Sequence, residues 1–301
     1  MKTFSIAVHG GAENLKPTEV SEEKQAQYKK GLEEALQAGW EILQNNGTAV
    51  DATVAAVKCM ENNPLFNAGK GASLTQKGEA EFNASLMDGK TLQAGAVGCV
   101  RFVKNPIDLA RCIMDKCQHN FLAGAGAEEF AIKHHLPLME HSYFFTKEKE
   151  DQWLEQREEN KLNGHDTVGA VALDQEGNLA AATSTGGLTY QLRGRISDGP
   201  MLGCGTLAIN DVCAVACTGE GEVIMRGMLA HEVYALVKYA SQTIQEAAEN
   251  AVKLYEDRLG GEKGLIAMDS TGRVAFAFNT TCMKRASRVG HEAPFVELWR
   301  S

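Results

Sequence analysis

Proline is scarce, 6 of 301 residues, about 2% against a typical ~5%. Glycine, at 30 residues, exceeds its usual ~7% share. Together they point to tight turns and close backbone approaches rather than flexible linkers. No apolar run approaches the ~18 residues of a membrane helix. Met1–His9 carries one positive charge and too short an apolar pattern for a signal-peptide core, so it reads as a first strand. A basic surplus is also missing: 30 Lys and Arg face 39 Asp and Glu, a formal charge of −9. Nucleic acid and anionic membrane surfaces are therefore poor partners.

No C-x-x-C pair exists among the eight cysteines (Cys59, Cys99, Cys112, Cys117, Cys204, Cys213, Cys217 and Cys282). Most lie in apolar runs and read as reduced thiols of a cytoplasmic protein. The eight histidines lack ligand spacing beside them, so no metal site is expected from side chains. Nucleotide signals are absent as well. Gly69-Lys70-Gly71, Gly203-Cys204-Gly205 and Gly219-Glu220-Gly221 each lack the third glycine of a dinucleotide loop, and there is no P-loop. No G-x-S-x-G elbow appears either.

What remains has a readable order. Residues 4–8 read as a buried strand closed by the Gly10-Gly11 turn. Ser21 caps a helix to about Leu43, and Thr48 with Asp51 opens a second that Asn62-Asn63-Pro64 stops. Glycine-punctuated residues 66–89 suit short strands, and 92–103 suits a strand buried on both faces. Asn105-Pro106 opens a helix, and another covers 127–135. Lys147 to Lys161 holds 10 charged residues in 15; an isolated helix or a loop both fit, and a mobile connection over about 140–166 is the reading. Hairpins follow at 168–183 and 267–276, with a strand pair at 207–217 and helices at 223–239 and 245–259 between them. Strands arriving as hairpins favour antiparallel sheets covered by helices over a doubly wound fold. The count suits two stacked sheets with a helical layer on each side, as one domain.

The chemistry-bearing feature is a concentration of threonine and glycine, Thr183-Ser184-Thr185-Gly186-Gly187 and Thr218-Gly219-Glu220-Gly221-Glu222, with Thr167 opening a strand straight after the charged connector. A threonine hydroxyl becomes a useful nucleophile only with a base beside it, and its own α-amine can serve. That amine titrates near ~8, so it can be neutral at working pH. Using it requires a cut between Asp166 and Thr167. The plain alternative is that Thr167 merely starts a strand. Likewise Arg195 and Asp198 could be a surface ion pair, and Thr185 and Thr218 ordinary strand residues.

The segments His165-Asp166-Thr167-Val168-Gly169, Ala182-Thr183-Ser184-Thr185-Gly186-Gly187, Gly194-Arg195 with Asp198, and Thr218-Gly219-Glu220-Gly221 resemble the plant-type asparaginases and isoaspartyl aminopeptidases of the N-terminal-nucleophile (Ntn) hydrolases. His9-Gly10-Gly11-Ala12, Asn62-Asn63-Pro64-Leu65-Phe66-Asn67-Ala68-Gly69 and Ala84-Ser85-Leu86-Met87-Asp88-Gly89 match in the first half. The similarity covers nearly all of the chain outside about 140–164.

That resemblance implies an α+β fold, a four-layer αββα sandwich with two stacked antiparallel sheets. It implies self-cleavage into an α subunit, 1–166, and a β subunit, 167–301, assembled as a dimer of such pairs. Thr167 matches the nucleophile and Thr185 the threonine against it. Thr218 and Gly219 match the oxyanion donors. Arg195 matches the residue that takes the substrate α-carboxylate, Asp198 the one that takes its ammonium, and Gly221 lends a carbonyl. Asn67 sits beside the nucleophile. No cofactor is implied beyond a structural sodium on the backbone carbonyls of Glu61, Phe66 and Ala68. The implied activity is hydrolysis of β-aspartyl amides: L-asparagine, and isoaspartyl dipeptides.

The chain departs from the pattern at three places. Many of these enzymes carry glycine before the nucleophile; here it is Asp166, an aspartate as in the glycosylasparaginases. Ser197-Asp198-Gly199-Pro200 replaces Gly-Asp-Ser-Pro, and Leu207 replaces a common aromatic. Cleavage of the N-glycan–asparagine linkage and an uncut, silent scaffold are the two rival readings.

Overall fold

The computed structural model describes residues 3–159, 166–254 and 256–300. In the first half it runs β1 (Ser5–Glu13), α1 (Glu22–Gln44), α2 (Ala49–Glu61), β2 (Phe82–Asp88), β3 (Ala94–Val100), α3 (Pro106–Lys116), β4 (Phe121–Ala123), α4 (Gly124–Lys133), α5 (His141–Phe144) and α6 (Lys147–Glu159). The second half gives β5 (Val168–Leu173), β6 (Leu179–Thr185), β7 (Thr206–Ile209), β8 (Cys213–Gly219), α7 (Gly221–Gly227), α8 (Leu229–Ala240), α9 (Ile244–Lys253), α10 (Glu256–Leu259), β9 (Lys263–Asp269), β10 (Val274–Phe278), β11 (Cys282–Val289) and β12 (Phe295–Trp299).

Alternation along the strands builds the layers. In β1, Ile6 and Val8 face a core shared with Leu32, Leu36, Val57 and Met60 of α1 and α2, while Ala7 faces the other way. That other face packs sheet against sheet, with Ala7, Val171, Leu179 and Ala181 against Ala214, Ala216, Ile266 and Met268. The intervening residues of the second sheet, Val215 and Cys217, turn outward to Ile224, Val233 and Ala248 of α7, α8 and α9. The result is helix, sheet, sheet, helix, the αββα order the sequence implied. Small alanines at the sheet-to-sheet contact let the two layers approach closely. Leu207 belongs to the outer core beneath α8, so its departure from the common aromatic is a matter of packing.

Strand order is β12-β11-β1-β5-β6-β2-β3-β4 in the larger sheet and β10-β9-β8-β7 in the smaller. The smaller sheet is antiparallel throughout. The larger corrects the expectation of two purely antiparallel sheets, because β4 pairs parallel to β3, the chain returning through α3. Segments 1–166 and 167–301 interleave there: β1 lies between β11 and β5, and β6 pairs with β2.

Three local expectations are revised. Gly10-Gly11 lies inside β1 as a bulge between His9 and Ala12, not as a closing turn. The helix expected over 223–239 breaks at Met228, which adopts the left-handed conformation between α7 and α8. The connector expected as a mobile link is helical through Glu159, with the Trp153 indole N–H donating to the Thr75 carbonyl at 2.8 Å. Residues 160–165, including His165, lie outside the described residues.

Candidate active site

Strand ends gather the site. Thr167 precedes β5, and the Val168–Ser184 pairing sets it beside Thr185 at the end of β6. Thr218 and Gly219 end β8 on the facing sheet, and the Thr167 N–H donates to the Thr218 hydroxyl at 3.3 Å. Gly219 holds φ +128°, and a side chain there would strike the Glu262 carbonyl; glycine alone accepts both constraints. Asn67 arrives from the turn after α2. Its amide donates to the Asp166 carbonyl oxygen at 2.9 Å and to the Gly187 carbonyl at 2.7 Å. Its own oxygen accepts from the Ser73 N–H at 2.7 Å, which fixes the amide's orientation.

The Thr185 hydroxyl also donates to the Asp166 carbonyl, at 3.1 Å, and accepts from the Gly187 N–H at 3.1 Å. Thus the carbonyl that precedes Thr167 carries two converging donors. Donors aimed at a carbonyl oxygen stabilise the negative charge it gains when a nucleophile adds to its carbon. The adjacent hydroxyl belongs to Thr167, which is buried.

Arg195, Asp198 and Gly221 form the neighbouring wall. The plain reading of an Arg195–Asp198 surface pair does not hold. The Arg195 guanidinium makes a two-pronged contact with Glu222, 2.7 Å from Nε and 2.7 Å from Nη2, and donates from Nη1 to Gln191 at 3.1 Å. Asp198 is buried, and its Oδ2 has no hydrogen-bond partner among the described residues. Burial pushes its carboxyl up to about 7, against the pull of Arg195. A cationic group placed there would meet an unsatisfied acceptor. Gly221 backs this wall; a Cβ on it would fall 2.5 Å from that of Ser197 and 2.8 Å from Asp198 Oδ1.

Asp166, Thr167, Thr185, Gly187, Leu188, Arg195, Ser197, Asp198, Gly219 and Gly221 all line one cleft of about 10 Å³, room for about one water. Asp166 is itself part of the lining. Every site residue expected from the sequence is therefore brought together, apart from Glu61, Phe66 and Ala68, whose expected part was to offer backbone carbonyls to a sodium ion.

Further residues surround this set. Lys284 of β11 is buried and donates from Nζ to Asp166 Oδ2 at 2.9 Å and to Glu13 Oε1 at 2.6 Å. Gly11, with φ +110°, presses its backbone against the Asp166 carboxylate, leaving no room for a side chain. His9 pairs with Gly169 across the strands; burial drives its imidazole down to about 3, so it is neutral. Glu61 is buried below, accepting from the Ser184 hydroxyl at 2.6 Å and the Ile107 N–H at 3.0 Å, and burial raises its carboxyl to about 8. The His9-Gly10-Gly11 motif was visible in sequence, as was Glu222 at the end of Thr218-Gly219-Glu220-Gly221-Glu222, but Lys284 carried no signal.

Among the described residues no group of three or more His, Cys, Asp or Glu could hold a metal ion, and no helix is long and apolar enough to cross a membrane. The sequence matches the family model described as asparaginase over residues 1–297. It is 40% identical to an isoaspartyl peptidase of Salmonella typhimurium, an alignment covering 100% of both chains. A probable isoaspartyl peptidase/L-asparaginase 2 of Arabidopsis thaliana is 37% identical over 99% of this chain and 100% of its own. The isoaspartyl peptidase/L-asparaginase of Mus musculus is 42% identical over 89% of this chain and 82% of its own.

Proposed function

Because the chain belongs to the asparaginase family, we propose that it cuts itself between Asp166 and Thr167 and then uses the freed threonine on β-aspartyl amides. It is a hydrolase of β-aspartyl amide bonds, of the kind its isoaspartyl peptidase/L-asparaginase relatives are named for. The observation that carries the self-cleavage is the Asp166 carbonyl held by Asn67 and Thr185 beside the Thr167 hydroxyl.

In that step the Thr167 oxygen bonds to the Asp166 carbonyl carbon and the C–N bond to Thr167 breaks. The hydroxyl proton ends on the departing Thr167 nitrogen. Water then hydrolyses the ester, leaving an Asp166 carboxylate and a free threonine amine. Residue 166 must leave for a substrate to enter, since the cleft of the uncut chain has room for about one water.

In turnover the amine, with an ordinary pKa near ~8, takes the hydroxyl proton as Thr167 attacks the side-chain carbonyl. It returns that proton to the leaving ammonia or amino acid, and water releases aspartate from the β-aspartyl ester. The Thr218 hydroxyl and Gly219 N–H take the oxyanion, and Thr185 holds the nucleophile. Arg195 takes the substrate α-carboxylate with its planar fork. Asp198, with the Gly221 carbonyl, takes the ammonium, completing a clamp for an α-amino acid head group.

Glu61, Phe66 and Ala68 fit a sodium ion in donor chemistry, because neutral carbonyl oxygens suit alkali cations. The Glu61 and Phe66 carbonyls each accept one amide, from Lys70 at 2.8 Å and Ala68 at 2.9 Å, and keep a second lone pair. Such an ion would brace the turn that carries Asn67 and take part in no step. A thermal midpoint higher in sodium than in choline chloride is the expected result; equal midpoints would remove it. The eight cysteines are all unpaired, which supports a cytoplasmic site. Assembly as a dimer of cut pairs completes the reading, and light scattering tests it.

The decisive experiment is intact mass under denaturing conditions, alongside assays on asparagine, isoaspartyl dipeptides and glycosylated asparagine. Pieces of 166 and 135 residues (301 − 166) and turnover of the first two substrates are expected. Thr167→Ala should give one uncut species and no turnover. Activity in that variant would overturn the mechanism.

A further inference from the structure

Two oxygen-bearing groups of Asp166 are held independently. The main-chain carbonyl sits on Asn67 and Thr185. The side chain sits on Lys284, whose Nζ is shared with Glu13. Lys284 is among the most deeply buried side chains in the protein, at 1% exposure. It is no surface tether, then, and nothing in the turnover chemistry uses it.

A buried lysine needs compensating charge, since an isolated ammonium away from water is very costly. Here the compensation is supplied by Glu13 from β1 and by Asp166 itself. Lys149 of α6, half-buried, adds a second cation near the group. The Tyr28 ring lies 5.3 Å from the Lys284 ammonium, closing the other side. One ammonium thus bridges two carboxyl groups, one of them on the residue that precedes the cut. The two acids respond differently. Lys284 holds Glu13 below the ordinary carboxylate range, whereas deeper burial outweighs Lys284 at Asp166 and raises it.

Attack by Thr167 on the carbonyl just before it closes a five-membered ring, so it needs one face of that carbonyl turned to the hydroxyl. Rotation about the Cα–C bond of residue 166 sets that face. Fixing only the carbonyl oxygen leaves the rest of residue 166 free to pivot about it. Fixing the carboxylate as well, with the Gly11 backbone against its other oxygen, removes the pivot. We propose that Lys284, braced by Glu13, is a positioning residue for self-cleavage that locks the Asp166 side chain and thereby presents the Asp166 carbonyl to Thr167.

The proposal rests on the self-cleavage reading and is tested on the full chain. Precursors of the wild type, Lys284→Met, Lys284→Arg, Asp166→Gly and the Lys284→Met/Asp166→Gly pair are purified quickly. Each is followed by intact mass at fixed temperature. Lys284→Met should cut roughly ten- to a hundredfold more slowly, the scale of a reacting group misplaced by about 1 Å, and Lys284→Arg should recover part of the rate. In the Asp166→Gly background, where no carboxylate remains to be held, Lys284→Met should cost nothing further. That last comparison separates positioning from a general loss of packing, and Asp166→Asn serves if Lys284→Met does not fold, with a similar slowing expected. Equal slowing by Lys284→Met with and without the Asp166 carboxylate would overturn the proposal, as would an unslowed Asp166→Asn. A wild type that never cuts would remove the self-cleavage reading itself. A wild type that cuts alongside an undiminished Lys284→Met removes only the role of Lys284.

Discussion

The Asn67 side-chain amide lies 2.9 Å from the carbonyl oxygen of Asp166, 99 residues away in sequence. Thr185 reaches the same oxygen from the opposite strand. Thr185→Val removes one of these donors while keeping the β-branched shape. Loss of one oxyanion donor costs on the order of 10²–10³ in rate, and self-cleavage followed by intact mass should slow by that order. An unchanged rate would take Thr185 out of the cleavage step.

Gly221→Ala should separate binding from maturation. Its Cβ would press on Ser197 and on Asp198 Oδ1 and would itself lie 3.2 Å from Arg195 Nη2, displacing the groups assigned to the substrate head group. The precursor should still cut, because the donors to the Asp166 carbonyl are untouched. The KM for asparagine should rise roughly tenfold or more, the usual cost of a displaced buried polar contact. An unaltered KM would argue that the head group binds elsewhere.

Gly11→Ala should do the reverse. Any side chain there meets the Asp166 carboxylate in a left-handed backbone conformation. Self-cleavage should be impaired. Whatever fraction does mature should bind asparagine normally, since residue 166 has then left. Steady-state kinetics on the separated mature fraction decide it.

Stability should fall as pH rises from about 5 to 9. Glu61 has its carboxyl raised by burial to about 8 and Asp198 to about 7. The folded protein therefore holds protons that the unfolded chain, with carboxylates near ~4, has already released. Stability from this source is complete below the unfolded values and is lost as pH climbs through the folded ones. Thermal midpoints of the Thr167→Ala precursor should drop by several degrees across that range, and Glu61→Gln should flatten the drop. A midpoint that rises with pH would contradict the burial of these two acids in neutral form.

Much of this architecture is legible where a signal is local. The caps at Ser21 and Thr48 each need one side-chain oxygen and one amide three residues on, and both form. The hairpins β5–β6 and β9–β10 show in apolar runs broken by turns. Other features depend on distant partners. Gly10-Gly11 reads as a turn because two glycines usually make one, yet neighbouring strands hold it as a bulge. Met228 favours helix on propensity, yet its backbone is left-handed. In β11, Lys284 and Arg285 point into the protein, so the strand lacks the alternation that would reveal it. The candidate catalytic set was legible only as an ordered group of motifs that resembles a family. No single threonine or glycine would have disclosed it.

The interleaving of the larger sheet has a consequence for the molecule if the proposed cut is made. While the chain is continuous, β1 and β5 are joined covalently and recovery from unfolding is a first-order event, indifferent to dilution. Once the bond before Thr167 is gone, β1 is still wedged between two strands of the other piece. Neither piece can leave without unzipping both of those pairings, so the nicked protein holds together by topology. After full denaturation the halves must find each other again, and the yield falls with dilution. The proposed cut would thus turn a concentration-independent refolding into a concentration-dependent reassembly.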